Sequence, residues 1–179
     1  MSLSPEEYRE HLATTAVRAG FSFGDSDVVL PESREVHVGR MRLHYLDWGN
    51  KHLPPILFLH GGALTAHTWD LVCLALRDQY HCIALDQRGH GDSDWAPTND
   101  SGSADYSIGA QLADTKGFVD KLGLDKFVLV GMSLGAINSL AFAIAHPERL
   151  SHLVIIDAGP EMRRPGSSRL RAITPSPRP

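Results

Sequence analysis

The sequence of 179 residues has little of several features that would assign it to a specialised class of protein. It contains only two cysteines, Cys73 and Cys82, which are too few for a disulfide framework. Both lie among apolar residues, and this predicts buried, reduced thiols. Neither sign of charge is in large excess, because the formal net charge is -4. This balance gives no reason to expect nucleic acid or an anionic membrane as a partner.

Long hydrophobic runs are also missing. No apolar stretch approaches the length of a membrane-spanning helix, and residues 1–10 lack the apolar core of a signal peptide. We therefore expect a cytoplasmic protein with no membrane partner. Hydrophobic residues make up 42% of the chain and charged residues 21%, which is typical of a globular domain with a sizeable core.

The N-terminal segment carries a strong signal for the start of a helix. Ser4 is a good N-cap, Pro5 suits the first helical position, and Glu7 completes a capping box. The helix is predicted to run to Arg18. We expect residues 1–22 to form an amphipathic helical extension outside the main fold.

In the remaining chain, apolar segments typical of strands alternate with segments typical of helices, as in an α/β domain. A hairpin is predicted from strands over 34–38 and 41–48. Further strands are predicted over 55–59, 81–86, 127–130 and 150–157, with helices over about 69–79, 107–122 and 136–146. Strands that alternate with helices predict a mainly parallel sheet, here within residues 33–159.

One stretch between a strand and a helix indicates chemistry. Gly131-Met132-Ser133-Leu134-Gly135 follows an apolar strand and precedes an alanine-rich helix, which is the context of a nucleophile elbow. The turn would raise the Ser133 hydroxyl above the sheet. Gly131 and Gly135 have no Cβ, so the strand and the helix can approach closely around the turn.

Two more motifs follow the ends of predicted strands, Leu59-His60-Gly61-Gly62 and the run from Asp86 to Asp94. With the Ser133 motif, and in this order, they resemble the α/β-hydrolase superfamily over residues 34–158. The resemblance implies an α/β-hydrolase fold with helices on both faces of the sheet. It points to the branch that holds small esterases, haloperoxidase-like enzymes, carbon–carbon bond hydrolases and epoxide hydrolases. Epoxide hydrolases and haloalkane dehalogenases carry Asp at the position of Ser133, which argues against those two chemistries.

The mechanism that the resemblance implies is acyl transfer through Ser133 on a small ester, thioester, lactone or related carbonyl compound. The backbone N–H groups of Gly62 and Leu134 would stabilise the oxyanion. No metal ion or organic cofactor is needed. Residues expected to shape the site are His60, Gly61, Gly131, Met132 and Gly135.

Several polar residues near these motifs have a structural interpretation beside the functional one. We expect His60 to form hydrogen bonds within its loop instead of acting as a base. Arg88 and His90 are expected to fix the conformation of their loop. Asp86 ends a strand, and the same stabilising role is expected for it.

A complete triad is not evident after Ser133. This fold places an acid and then a histidine after the nucleophile, but only His146 and His152 follow it, on the elbow helix and near the last strand. The base is therefore expected to be absent. Asp157 is a candidate acid, and the alternative is a strand-end Asp that holds its loop.

Residues 160–179 contain five arginines and five prolines. They are expected to be the first piece of a cap or a disordered tail, so the last strands and most of the cap would be missing. Residues 153–156 would then form an unpaired sheet edge that permits self-association. Besides a serine hydrolase, two hypotheses stay open. One is an incomplete fragment or pseudoenzyme that at most binds a ligand, and the other is perhydrolysis or carbon–carbon cleavage.

Overall fold

The computed structural model describes residues 4–21, 28–98 and 102–158. The helices are α1 (Pro5–Arg18), α2 (Asp70–Leu76), α3 (Ile108–Lys121) and α4 (Leu134–Ala145). The strands are β1 (Glu32–Val38), β2 (Met41–Asp47), β3 (Pro55–Leu59), β4 (His81–Leu85), β5 (Phe127–Met132) and β6 (Leu150–Ile156). Each predicted strand is present, with ends that differ from the prediction by two residues at most.

The strands form one six-stranded sheet in the order β1-β2-β4-β3-β5-β6. Strands β3 to β6 are parallel to their neighbours among themselves, whereas β1 pairs antiparallel with β2 and β2 with β4. The parallel strands are continuous apolar runs because a parallel sheet is covered on both faces. The prediction of a mainly parallel sheet is confirmed.

Two hydrophobic cores lie on opposite faces of this sheet. Ile56 and Phe58 of β3 pack into one core together with Trp69 and residues of α2. Leu57 and Leu59, which alternate with them, pack into the other core with residues of α3 and α4. The period of two along β3 thus divides the strand between the two faces, as expected for a sheet with helices on both sides.

The sheet order determines where a site can form. Strand β3 lies between β4 and β5, so the carboxyl ends of these three parallel strands are neighbours. The three sequence motifs follow these strand ends. Ligand sites in open α/β sheets lie at this edge, so the fold gathers the motifs into one region.

Helix α1 has the predicted N-terminus but is not an appendage outside the main fold. Ser4 accepts a hydrogen bond from the backbone of Glu7 in a complete capping box. Leu12, however, is buried in the core on the α2 face of the sheet. The Tyr8 hydroxyl donates to Oδ2 of Asp70 at 2.6 Å. The sequence period could not reveal this docking because it depends on partners about sixty residues away.

The segment between β3 and β4 also differs from the single helix predicted over 69–79. It begins with a 3₁₀ turn, Ala66–Trp69, and continues as α2, which ends at Leu76. The two cysteines, Cys73 of α2 and Cys82 of β4, are buried and free, as predicted. Burial raises the pKa of Cys73, and its hydrogen bond with Cys82 adds to the shift.

Strand β6 is the outer strand of the described sheet beyond β5. Leu153, Val154 and Ile156 are 36%, 42% and 38% exposed, whereas every residue of β4 and four of the five residues of β3 are buried. The predicted cap or tail over 160–179 lies outside the described residues. Within the described part of the chain, no helix has the length and apolar character needed to cross a membrane.

Candidate active site

Ser133 occupies a strained turn between β5 and α4. Its backbone angles are φ 50° and ψ −109°, a combination that residues with a side chain rarely adopt. Such strain costs about 1–3 kcal/mol and is concentrated at functional sites. The Ser133 N–H donates to the carbonyl of Ile156 at 2.9 Å, which anchors the turn to β6. The half-buried Ser133 hydroxyl has no hydrogen-bond partner among the described residues.

The glycines on either side of Ser133 are needed for steric reasons. A Cβ on Gly131 would lie 2.3 Å from the carbonyl oxygen of Gly135. A Cβ on Gly135 would lie 2.2 Å from the carbonyl oxygen of Leu59, in the neighbouring strand. Both contacts involve backbone atoms that cannot move away without distorting the sheet. The two positions therefore permit the close packing of α4 on β5 and β3.

The amides of Gly62 and Leu134 border the same space beside Ser133. A Cβ on Gly62 would lie 3.9 Å from Cβ of Leu134, and one on Gly61 would lie 3.6 Å from Cβ of Ser133. Neither the N–H of Gly62 nor that of Leu134 donates a hydrogen bond within the described chain. Leu134 is also the first residue of α4, where the helix dipole is positive. The arrangement can bind negative charge.

His60 is fully buried and both of its ring nitrogens are occupied. Nδ1 lies 2.8 Å from the carbonyl oxygen of Gly61, and Nε2 accepts the backbone N–H of Gln87 at 3.1 Å. Since Nε2 accepts, Nδ1 carries the hydrogen, and the ring is neutral. Burial lowers the pKa of His60, although the bond to Gly61 opposes this shift. His60 therefore holds its loop and has no free nitrogen with which to act as a base.

A buried amide network that the sequence reasoning missed fixes the same loop. The carbonyl of His60 accepts hydrogen bonds from the Gly135 N–H at 3.1 Å and from Nε2 of Gln87 at 2.7 Å. Asn138 of α4 donates to the side-chain oxygens of Gln87 and Gln111, each at 2.6 Å. The network ties the Gly62 loop to the helix that begins at Leu134. The one signal in the sequence is the polar pair Asn138-Ser139 inside a helix that is apolar elsewhere.

Asp86 organises the loop that follows β4, as expected. Its Oδ1 accepts the N–H of Ala66 at 2.6 Å, and its Oδ2 accepts the N–H of Asp92 at 3.0 Å. His44 Nδ1 lies 2.7 Å from Oδ2 of Asp86. Burial would raise the pKa of Asp86, but these hydrogen bonds outweigh it and hold the pKa below its usual value. The carboxylate is therefore charged near neutral pH.

Arg88 and His90 also fix the loop. The guanidinium of Arg88 forms a two-pronged ion pair with Asp114, with contacts of 2.5 and 2.7 Å, and donates to the carbonyls of Asp105 and Ala110. The His90 Nδ1 lies 3.0 Å from the carbonyl oxygen of Arg88. The Arg88 side chain is thus held by α3 and by the loop that precedes this helix, in keeping with its expected structural role.

The histidines that follow Ser133 lie far from it. His146 directly follows α4, whose 12 residues span roughly 18 Å. His152 lies within β6 and pairs with Val128, which puts it roughly 16 Å from Ser133 along the strand direction. Asp157, in contrast, directly follows Ile156 and reaches the same edge as Ser133. It is exposed and has a φ of 55°.

The described residues contain no group of three or more His, Cys, Asp or Glu side chains that could hold a metal ion. The site described above consists of a serine, backbone amides and a hydrogen-bonded polar scaffold, in which Oδ1 of Asn138 and the Ser139 hydroxyl have no partner among the described residues. This arrangement can present the Ser133 hydroxyl to a bound molecule, and the amides can stabilise a negative charge that forms when the hydroxyl attacks.

Comparisons with known proteins identify relatives of this chain. A family model for the alpha/beta hydrolase fold matches residues 54–172. Epoxide hydrolase 1 of Caenorhabditis elegans is 32% identical over 143 residues, which are 80% of this chain and 33% of that protein. An esterase of Mycobacterium tuberculosis is 33% identical over 131 residues, 73% of this chain and 41% of the esterase.

Solved structures give the same result. An alpha/beta hydrolase from Novosphingobium aromaticivorans superposes with a TM-score of 0.72 and 28% identity, over 81% of this chain and 50% of that structure. The chain thus spans about a third to two fifths of the two curated relatives and half of this solved structure.

Proposed function

Because the chain belongs to the alpha/beta hydrolase fold family, we propose that it is a hydrolase in which Ser133 is the nucleophile for acyl transfer. The substrate would be a small ester, thioester, lactone or related carbonyl compound. The observation that carries the proposal is the position of Ser133 on a strained turn, with the free amides of Gly62 and Leu134 beside it. The two amides could donate hydrogen bonds to the oxyanion that forms when the hydroxyl attacks a carbonyl carbon.

The identity of the nucleophile separates this proposal from the chemistry that the name of the nematode relative states. A carboxylate that opens an epoxide forms an ester, which water can hydrolyse. A serine hydroxyl that opened an epoxide would form an ether, which would not be hydrolysed and would block the enzyme. With a carbonyl substrate, Ser133 forms an ester intermediate that water can resolve. The esterase is for this reason the better guide to the reaction.

Ser133 has a candidate catalytic acid but no base among the described residues. We retain Asp157 as the proposed acid because it follows the residue whose carbonyl anchors the Ser133 amide. No histidine contacts the Ser133 hydroxyl within the described residues. Without a base, a triad enzyme typically keeps only about 10³- to 10⁴-fold catalysis over water. We therefore expect slow ester turnover from the chain of 179 residues.

A second candidate function is favoured by the same observation. A chain whose Ser133 hydroxyl meets no base could bind a ligand beside the amides of Gly62 and Leu134 without transforming it. The two candidates differ in whether Ser133 reacts, because a preformed oxyanion site accelerates covalent attack even when the triad is incomplete.

Covalent labelling decides between them. The chain would be treated with a fluorophosphonate probe, followed by intact-mass analysis and peptide mapping, with Ser133→Ala as the control. The proposal predicts an adduct on Ser133 that forms faster than any adduct on the exposed Ser151 and is lost in Ser133→Ala. A folded sample in which Ser133 reacts no faster than Ser151 would support the non-catalytic candidate.

The exposed edge of β6 leads to a separate proposal about partners. We propose that the chain self-associates through Leu153, Val154 and Ile156, since exposed apolar edge strands pair with other strands. Sizing chromatography tests this proposal, with Val154→Lys as the variant that should shift the chain towards monomer. A wild-type chain that elutes as a monomer at high concentration would contradict it.

A further inference from the structure

A second serine, Ser33 of β1, lies at the end of a chain of hydrogen bonds that leads to buried side chains. Strand β1 is the edge strand on the far side of the sheet from β5 and Ser133. The Ser33 hydroxyl lies 2.8 Å from Nε2 of His44, and Nδ1 of the same ring lies 2.7 Å from Oδ2 of Asp86. The order of groups is hydroxyl, imidazole, carboxylate. This is the arrangement by which serine nucleophiles are activated on several unrelated folds.

The fold brings the three residues together through strand register. In the β1–β2 hairpin Ser33 is opposite Leu46 and Glu35 is opposite His44, so Ser33 and His44 are diagonal neighbours on one face. Strand β2 pairs antiparallel with β4, and the Asp86 N–H donates to the carbonyl of His44 at 3.0 Å. That bond sets the Asp86 carboxylate beside the imidazole ring.

The direction of each hydrogen bond follows from the chemistry of the groups. Asp86 accepts the N–H of Asp92 on the same oxygen that faces His44, as a carboxylate does. Nδ1 of His44 must therefore carry the hydrogen, which leaves the lone pair of Nε2 to accept from Ser33. The imidazole is held in the tautomer that can remove a proton from the Ser33 hydroxyl.

Burial and exposure are distributed as a reactive site requires. His44 and Asp86 are only 3% and 2% exposed, so their interaction is shielded from water. Ser33 is exposed on β1, the edge strand at the opposite end of the described sheet from β6, where a small molecule can reach it. The other buried pair, His81 and Asp47, has no serine hydroxyl on its second nitrogen within the described residues.

We propose that Ser33 is a second nucleophilic site that accepts acyl or phosphonyl groups from small, activated, uncharged donors. Its Oγ attacks the carbonyl carbon or the phosphorus atom, and its proton passes to Nε2 of His44. The bond to the leaving group breaks, and an aryloxide or fluoride departs with the electron pair. The imidazolium is stabilised by Asp86 until it releases the proton to solvent. An uncharged donor suits this surface because the Glu35 carboxylate lies on the same face and its ion pair with Arg42 places charges of both signs there.

The size of the effect follows from the parts that are present. General-base assistance by a positioned histidine typically contributes about 10²- to 10⁴-fold. We therefore expect Ser33 to react about 10²-fold faster than the exposed Ser151, which serves as an internal reference. This site does not depend on the function proposed for Ser133, and neither result requires the other.

The test uses the full chain, an uncharged fluorophosphonate and tryptic mapping. Cleavage after Arg18 and Arg34 separates Ser33 from Ser133, which lies in the peptide 127–149, so the two adducts are scored independently. In the Ser133→Ala protein, an adduct on Ser33 should form about 10²-fold faster than on Ser151. It should disappear in Ser133→Ala/Ser33→Ala. A rate at Ser33 equal to that at Ser151 would overturn the proposal.

The role of His44 needs its own comparison. His44→Gln should lower the Ser33 rate about 10²-fold, whereas His81→Gln, which breaks a comparable buried pair, should leave that rate unchanged. Equal effects of the two variants would mean that the rate reflects general loosening and would overturn the proposal.

Should His44→Gln fail to fold, a second pair of variants keeps the inference testable. Ser33→Cys and His37→Cys place a thiol at two exposed positions on the same face of β1, and only the first position lies against Nε2 of His44. At pH 7 iodoacetamide should alkylate the thiol of Ser33→Cys about tenfold faster, because His44 lies beside it. Equal alkylation rates would overturn the proposal.

Discussion

The two serines of interest have complementary surroundings. Ser133 lies on a strained backbone beside two free amides, and its hydroxyl meets no base among the described residues. Ser33 lies on regular strand, and its hydroxyl meets a histidine that is fixed by a buried carboxylate. One region holds what stabilises a developing anion, and the other holds what removes a proton.

The difference extends to stability. The residues around Asp86 are satisfied by hydrogen bonds, and buried, satisfied polar networks rigidify the structure. The turn at Ser133 stores backbone strain that the rest of the fold must offset. We therefore expect substitutions around Asp86 to lower the stability of the fold. Substitutions at the Ser133 turn should alter reactivity while stability is kept or increased.

The largest expected effect is the removal of the Asp86 carboxylate. Asp86→Ala leaves the His44 Nδ1–H, the buried N–H of Ala66 and the partly buried N–H of Asp92 without an acceptor. Loss of one partner of a buried pair typically costs about 3–5 kcal/mol. The free energy of unfolding in urea measures this cost. Asp94→Ala is the control, because Asp94 is in the same loop but 39% exposed and should cost about 1 kcal/mol. If Asp86→Ala lowers the free energy of unfolding no more than Asp94→Ala does, the buried network around Asp86 does not stabilise the fold as proposed.

The next effect tests the amide of Gly62. Gly62→Pro removes the N–H, and loss of one such donor typically reduces the rate about 10²- to 10³-fold. The fluorophosphonate labelling rate of Ser133 measures the effect. Gly62→Ala is a matched control that keeps the N–H, because its Cβ would lie 3.9 Å from the nearest side chain and fits. If both variants label at the wild-type rate, Gly62 does not contribute a donor.

A smaller effect is expected from relief of strain at the elbow. Ser133→Gly places at φ 50° the one residue that adopts positive φ freely, and it should stabilise the fold by about 1–2 kcal/mol. Ser133→Ala keeps the strain and should change the free energy of unfolding by less than about 0.5 kcal/mol. Thermal unfolding of the two variants measures the difference. Equal melting temperatures would mean that the turn carries no strain.

The smallest effect concerns the pH dependence of stability at Asp70, the residue that Tyr8 of α1 contacts. The hydrogen bond from His67 to Asp70 raises the pKa of His67, although burial opposes the shift. A raised folded-state pKa means that the stabilisation is complete below pH 6.5, the unfolded value, and is lost as the pH rises through the folded value. Since half of the His67 side chain is exposed, we expect under about 1 kcal/mol. The pH dependence of the melting temperature in wild type should flatten in His67→Gln, and identical profiles would contradict this.

Much of the fold was predictable because its signals are local. Buried parallel strands are continuous apolar runs, so β3 was predicted to the residue. The capping box of α1 and the glycine-flanked Ser133 are also contained in a few neighbouring residues. The loop roles expected for His60 and Asp86 followed from their positions directly after buried strands.

What escaped prediction depends on distant partners. The docking of Tyr8 on Asp70 and the hydrogen bond from Asn138 to Gln87 join residues about fifty to sixty positions apart. The contact of Ser33 with His44 depends on the register of a hairpin and on the neighbouring strand. A single sequence gives the residue types in such clusters, but the sheet decides which of them meet.

The amides of Gly62 and Leu134 are proposed to form a ready site for an anion on Ser133. A boronic acid forms a tetrahedral adduct on a serine hydroxyl, and the chemical shifts of labelled backbone amides report where the adduct oxygen is bound. We predict that an arylboronic acid shifts the amides of Gly62 and Leu134 most, and that Ser133→Ala abolishes these shifts. Unmoved amides at Gly62 and Leu134, or shifts that persist in Ser133→Ala, would contradict the account.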